Sequence, residues 1–203
     1  MMAVDVAARL ASLRERIARA GGTSVSVIAV TKTFDHDAWI AAHDAGCDGI
    51  GENYAQELVA KHAQGASALP VHFIGHVQTN KVRSLIDIVD VWQTVDRASV
   101  IDEIAKRASG RSPRVFLQVN TSGEDSKSGC TPGELDALVE RCRERGLVLD
   151  GLMTIGPTSG EAQPTRAAFR LLRRLVDDHG LAQCSMGMSG DIGSALFGPR
   201  HNP

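Results

Sequence analysis

Strand-like and helical segments alternate along almost the whole of this chain, and that alternation constrains its fold more than any other feature. Residues 25–32, VSVIAVTK, form a nearly continuous β-branched run, as expected of a strand buried on both faces of a parallel sheet. A helix over 35–46 follows, capped by Asp35 and stopped by Gly46. Strands are then expected at 48–53, 71–75, 89–95, 114–120, 149–155 and 183–189. Helices fall between them at about 54–64, 79–88, 97–108, 132–145 and 164–179. The helix at 132–145 opens on Thr131-Pro132, a cap followed by a proline at the first helical position. Ahead of the first strand, Val6, Leu10, Leu13 and Ile17 mark one face of an amphipathic helix.

Seven βα-type repeats with short connections, and no block of strands alone, indicate an α/β fold with a parallel sheet. An open doubly wound sheet and a barrel both fit. No Gly-x-Gly-x-x-Gly follows the first strand, so the dinucleotide fingerprint is missing. Polar residues instead recur where strands end: Lys32, Asn53, Thr94, Asn120, Thr154 and Ser189. Side chains contributed by many strand ends are how a TIM barrel builds its site, whereas strand ends are also polar simply because they meet water.

Composition removes several function classes. With 22 basic against 24 acidic residues the net charge is −2, a poor match for a polyanionic partner such as duplex DNA or an anionic membrane. Aromatic residues make up 4%, too few for a base-stacking platform. No apolar run reaches the roughly 18–20 residues that span a bilayer, and no secretory signal is expected at the N-terminus. Cys47, Cys130, Cys142 and Cys184 are scattered without a CxxC pair, which points to a reducing cytosol rather than a disulfide or zinc scaffold. The histidines lack metal-ligand spacing, and no Gly-x-Ser-x-Gly elbow is present. Charge clusters at 141–145 and at 173–178 read as solvated helix faces.

Three places carry chemistry. Lys32 ends the first strand, where partial desolvation favours the neutral, nucleophilic amine; the plainer alternative is a surface lysine lying over apolar neighbours. The stretch Ser185-Met-Gly-Met-Ser-Gly-Asp-Ile-Gly-Ser194 offers converging amides and hydroxyls suited to a phosphate, although glycines also merely permit tight turns. The polar loop 120–129, with Lys127, is either an ordinary exposed loop or a lid over the barrel mouth.

Several segments resemble one family in family order. They are Ala29-Val-Thr-Lys-Thr33, Gly51-Glu-Asn-Tyr54, His72-Phe-Ile-Gly75 with Gln78-Thr-Asn-Lys81, Asn120 through Ser126-Lys-Ser-Gly129, Gly151-Leu-Met-Thr154, Ser185-Met-Gly-Met-Ser189 and Gly193-Ser-Ala-Leu-Phe-Gly198. The chain resembles the pyridoxal-phosphate homeostasis proteins, single-domain relatives of the alanine racemase barrel. The resemblance implies a TIM-type (β/α)8 barrel over residues 1–203 that binds pyridoxal 5′-phosphate as a Schiff base on Lys32. Asn53 is then expected near the cofactor, with Ser189, Gly193 and Ser194 on its phosphate and Lys127 able to approach from its loop. It further implies a cytoplasmic protein of vitamin B6 balance without catalytic turnover. Racemases take their second base from an additional β-domain and a partner subunit, for which no room follows residue 198.

In one respect the chain departs from the family. Relatives follow Ser-Met-Gly-Met-Ser-x-Asp with a helix and an eighth strand whose arginine approaches the pyridine nitrogen. Here Asp191 runs straight into Ile192-Gly193-Ser194. About 15 residues, one helix-plus-strand unit, are missing relative to a complete barrel, and Arg200 does not match the arginine. Strands one and seven are therefore expected to have unpaired edges. Two other functions stay open: a Schiff-base enzyme of the racemase or aldolase type, and a scaffold that has lost cofactor binding through the deletion.

Overall fold

Seven parallel strands follow one another through the sheet in chain order, β1-β2-β3-β4-β5-β6-β7. The structure, a computed structural model, describes residues 5–22 and 24–196. The strands are β1 (Ile28–Val30), β2 (Gly49–Glu52), β3 (Val71–Phe73), β4 (Val91–Val95), β5 (Arg114–Gln118), β6 (Val148–Met153) and β7 (Gln183–Ser185). The helices are α1 (Val6–Arg19), α2 (Asp37–Ala45), α3 (Ala55–His62), α4 (Thr79–Leu85), α5 (Ala98–Arg107), α6 (Leu135–Glu144), α7 (Ala162–Asp178) and α8 (Ile192–Leu196). This is the expected α/β order of the barrel family without its eighth unit. Among the described residues, β1 pairs only with β2 and β7 only with β6.

That edge position corrects one expectation. The run 25–32 is not buried on both faces: only 28–30 is paired, and Val25 and Val30 are 41% and 49% exposed. Its β-branched residues favour extended backbone, but burial on both faces needs a packed layer over each face, which this run does not have along its whole length. A second correction concerns Asp35. The residue at the start of α2 is His36, in helical conformation (φ −55°, ψ −31°), and no side chain caps the helix. Asp35 contributes only its carbonyl, which accepts from the Ala38 amide. The seventh strand also stops at Ser185, short of the expected 189.

The chain divides into two compact units, one made of residues up to 75 with 84–91, the other of 76–83 with 92 onward. In the first, Leu10 and Ile17 of α1 are buried, as the helical spacing predicts, along with Trp39 and Ala42 of α2. Arg14 of α1 reaches over to the Gly46 carbonyl and the Asp48 carboxylate. Ile50 and Leu58 are fully buried between β2 and α3.

In the second unit the core face of α7 is Thr165, Ala168, Phe169, Leu172 and Val176, a spacing that keeps one helical stripe inward against β6 and β7. Burying each large side chain of that stripe contributes roughly 1.5–3 kcal/mol. Thr131 does open the next helix, in a 3₁₀ turn over Pro132–Glu134, with its amide and hydroxyl both donating to Glu134 at 2.8 Å. The arginines at 141 and 145 are not idle surface charges: both bind Asp102, tying α6 to α5. All four cysteines are free, and burial pushes the Cys130 and Cys142 thiols up to about 12. They are packing residues, protonated at neutral pH.

Two glycines of the quoted motifs have a steric reason to be glycine. A Cβ on Gly75 would lie 1.9 Å from the Asn53 carbonyl oxygen, and one on Gly151 would lie 1.9 Å from that of Gln183. In each case the neighbouring strand's backbone occupies the space a side chain would need.

Candidate functional site at the strand ends

Register brings the first two predicted site residues together. Val30 pairs with Gly51 in the parallel β1–β2 ladder, and the Thr31 amide donates to the Gly51 carbonyl at 3.0 Å. Two residues beyond that pair, past the ends of β1 and β2, come Lys32 and Asn53. Both are half-buried. Neither side chain has a hydrogen-bond or ion-pair partner among the described residues. The other four lysines differ. Lys61 is buried in an ion cluster, Lys127 donates to the Gly156 carbonyl at 2.8 Å, Lys106 lies 3.9 Å from Glu103, and Lys81 is also engaged.

The turn that carries Lys32 is held unusually tightly. Thr33 sits at φ 67°, a left-handed conformation that costs a β-branched residue about 1–2 kcal/mol. Beneath the turn lies a buried polar cluster that the sequence did not reveal. Glu52 Oε1 accepts from Thr31 Oγ1 at 2.7 Å, Trp39 Nε1 at 2.9 Å and Lys61 Nζ at 2.8 Å. Its other oxygen, Oε2, is buried without a partner. Lys61 Nζ donates as well to the Thr31 carbonyl at 2.7 Å and pairs with Glu57 at 2.8 Å. The motif Gly51-Glu-Asn-Tyr54 points to Asn53 and carries no local sign that Glu52 anchors a buried cluster. The i, i+4 pair of Glu57 and Lys61 is visible in the sequence, yet such pairs are common on solvated helix faces.

The remaining predicted residues lie in the second unit. Ser189 is exposed, Gly193 half-buried and Ser194 9% exposed, all on the segment leaving β7. The Ser194 hydroxyl has no hydrogen-bond partner among the described residues. Asp191 organises this turn: its carboxylate accepts from the Met188 amide at 2.5 Å, and its carbonyl accepts from the Ser194 and Ala195 amides. The turn thus holds hydroxyl and amide donors together with one carboxylate. Phe197, Gly198 and Arg200 lie outside the described residues.

The loop 120–129 is clasped to the loop after β6. Lys127 is bound as above, Thr121 and Thr154 share a hydrogen bond at 2.9 Å, and the Glu124 carboxylate takes the Thr158 amide and hydroxyl. Asn120 and Thr154, two of the polar strand-end residues, are thereby occupied in loop structure: Asn120 binds Ser122, Gly123 and Glu124 within its own loop. The Thr158 hydroxyl, then its amide, holds the Glu124 carboxyl below the usual carboxylate range. A lowered folded-state pKa makes the clasp fully effective above the ordinary glutamate pKa and loosens it as pH falls through the lowered value. Exchange of the Thr158 amide, corrected for its intrinsic rate, should therefore stay slow at neutral pH and accelerate only once pH falls below the ordinary glutamate range. A corrected rate that is flat across that range would show that Glu124 does not close the loop.

Seven parallel strands in chain order define the class of fold, and the model of the alanine racemase N-terminal domain family matches residues 4–200. The pyridoxal phosphate homeostasis protein of Pseudomonas aeruginosa is 40% identical over 221 aligned positions, covering 98% of this chain and 96% of that one. The protein of the same name from Vibrio cholerae is 37% identical over 223 positions, covering 96% and 93%. Both spans exceed the 203 residues of this chain, so these relatives carry residues that have no counterpart here. The structure of PipY from Synechococcus elongatus with pyridoxal phosphate bound superposes with a TM-score of 0.82 at 32% identity, covering 94% of this chain and 92% of that one. The chain belongs to the pyridoxal phosphate homeostasis protein family.

Proposed function

We propose that this chain is a non-catalytic pyridoxal 5′-phosphate-binding protein of cytoplasmic vitamin B6 homeostasis, working as a single domain, with Lys32 as the amine that holds the cofactor covalently. The observation that carries the reading is the state of its lysines: of five, Lys32 is the one whose ammonium has no partner among the described residues. An amine free of acceptors can lose its proton and attack an aldehyde without first breaking an ion pair. Lys127, the other lysine on a strand-end loop, must first leave the Gly156 carbonyl. PipY binds the same cofactor, and the curated relatives carry the homeostasis name.

The donor set fits the group. Asn53, which follows β2 as Lys32 follows β1, offers an unengaged amide to the ring, and Ser189, Gly193 and Ser194 offer hydroxyl and backbone donors suited to a phosphate. Asp191 in the same turn opposes a dianion, so the phosphate grip is weaker than in a turn of amides and hydroxyls alone. Pyridoxal phosphate, when bound, supplies an electron sink; turnover also needs proton donors and acceptors positioned on both faces of a substrate. The family's homeostasis name supports a carrier rather than an enzyme. Among the described residues no helix is long and apolar enough to cross a membrane, and nothing in the charge balance suits nucleic acid.

Titration with pyridoxal phosphate tests this reading. The protein should develop a near-ultraviolet or visible band that neither component shows alone, and pyridoxal lacking the phosphate should bind more weakly. Absence of any band at saturating cofactor would leave the chain a scaffold, and equal affinity for the two aldehydes would remove the phosphate role of Ser189, Gly193 and Ser194.

A further inference from the structure

We propose that Glu57 and Lys61, one turn apart on α3, are positioning residues that aim Lys32, gripping the chain on both sides of it. This deepens the reading of Lys32 as the cofactor amine and rests on it. The grip is specific in its atoms. On the N-terminal side, Lys61 Nζ donates to the Thr31 carbonyl, while the Thr31 hydroxyl is held by Glu52. On the C-terminal side, Glu57 Oε1 accepts the Thr33 amide at 2.5 Å. The same Glu57 oxygen pairs with Lys61 at 2.8 Å, so the two anchors are joined to each other. Lys32, the residue between the anchored ones, has no partner of its own among the described residues.

Four observations separate this from an ordinary structural ion pair. The anchored residues are the two immediate neighbours of the reactive lysine. One of them, Thr33, is in a left-handed conformation that a free chain would leave. Lys61 is 4% exposed at its side chain, so its three acceptors surround it without water competing. And α3 follows β2 directly after Asn53 and Tyr54, so the helix that grips the Lys32 turn also carries on from the other predicted cofactor contact. A lysine side chain has many rotamers; fixing the backbone that launches it reduces the search to the side chain alone. Lys61 itself, ringed by acceptors, is kept out of competition for the aldehyde.

Two readouts on the whole chain test the grip, one without cofactor. In the free protein, exchange of the Thr33 amide should accelerate about tenfold or more in Glu57→Ala, which keeps a good helix former on α3. Borohydride-trapped labelling of Lys32 by pyridoxal phosphate should slow about tenfold in the same variant, while Glu57→Gln, which keeps an acceptor for Thr33, should recover most of the rate. Thermal melting of each variant confirms that folded protein is compared. Labelling of Lys32 at the wild-type rate in Glu57→Ala would remove the positioning role alone. Slower labelling without faster Thr33 exchange would remove it too, because the effect would not pass through the turn. Wild-type protein that takes no label at Lys32 would instead remove the underlying reading, and the positioning role with it.

Discussion

Lys32→Ala should abolish borohydride-stable attachment of pyridoxal phosphate, leaving no more label than a denatured control. Only a primary amine can form the imine, and the other four lysines are unsuited to replace it. Lys61 is buried and bound to three acceptors, Lys127 and Lys81 are engaged, and Lys106 faces Glu103 across 3.9 Å on the outer helix α5. Peptide mapping after reduction reads the result. The substitution removes no hydrogen bond or ion pair from the described structure, so the melting temperature of the free protein should stay within a degree or two, as for a change worth less than about 0.5 kcal/mol. Label falling chiefly on Lys127 in the wild-type chain would move the site to the loop after β5.

Gly75→Ala should be the most damaging single methyl in the first unit. The new Cβ would stand 1.9 Å from the Asn53 carbonyl oxygen, 2.7 Å from its carbon and 3.0 Å from its Cα, all backbone atoms without rotamers to yield. The Ile74 amide meanwhile donates to the Glu52 carbonyl at 2.8 Å, so the two strands cannot separate without breaking the ladder there. Overpacking against backbone belongs at the upper end of its usual cost, about 3 kcal/mol, which in a chain of this size lowers the melting temperature by roughly 10 °C. Because the atoms displaced belong to Asn53, cofactor affinity should fall as well. Gly133→Ala is the control: nothing lies within 4 Å of the position a Cβ would take, and the change should be nearly silent. A melting temperature for Gly75→Ala equal to that control would mean that β2 and β3 do not approach as closely as described.

The alternation of strand and helix, the helical faces and the strand ends were legible because each depends on residues close in sequence. Leu10 and Ile17 belong to an apolar stripe that is recognisable whatever α1 packs on, and a run such as VWQTV favours extended backbone. The likeness of the motifs also led to Lys32 and Asn53, and the missing unit between Asp191 and Ile192 was visible as an interruption of that likeness. What no local pattern determined was which neighbours each segment would meet. The β-branched residues of 25–32 predict a strand correctly but its burial wrongly, because burial depends on what packs over each face of the strand, which residues close in sequence do not determine. Asp35 was one residue out of place as a cap, since the backbone at His36 had already turned helical.

The clearest division falls at residues 52–61. From sequence, Glu57 and Lys61 are an unremarkable helical pair, and Glu52 merely precedes the asparagine that mattered. Tertiary structure makes them the floor of the Lys32 turn, because β1 and α2 bring Thr31 and Trp39 against the end of β2. A charge is affordable inside a fold only where acceptors from several segments converge, and that convergence is a property of packing. The sequence by itself determined that a lysine would lie close to the end of the first strand, which the structure places two residues past Val30. Only the tertiary structure decided that its two neighbours would be held in place while the lysine was left without a partner.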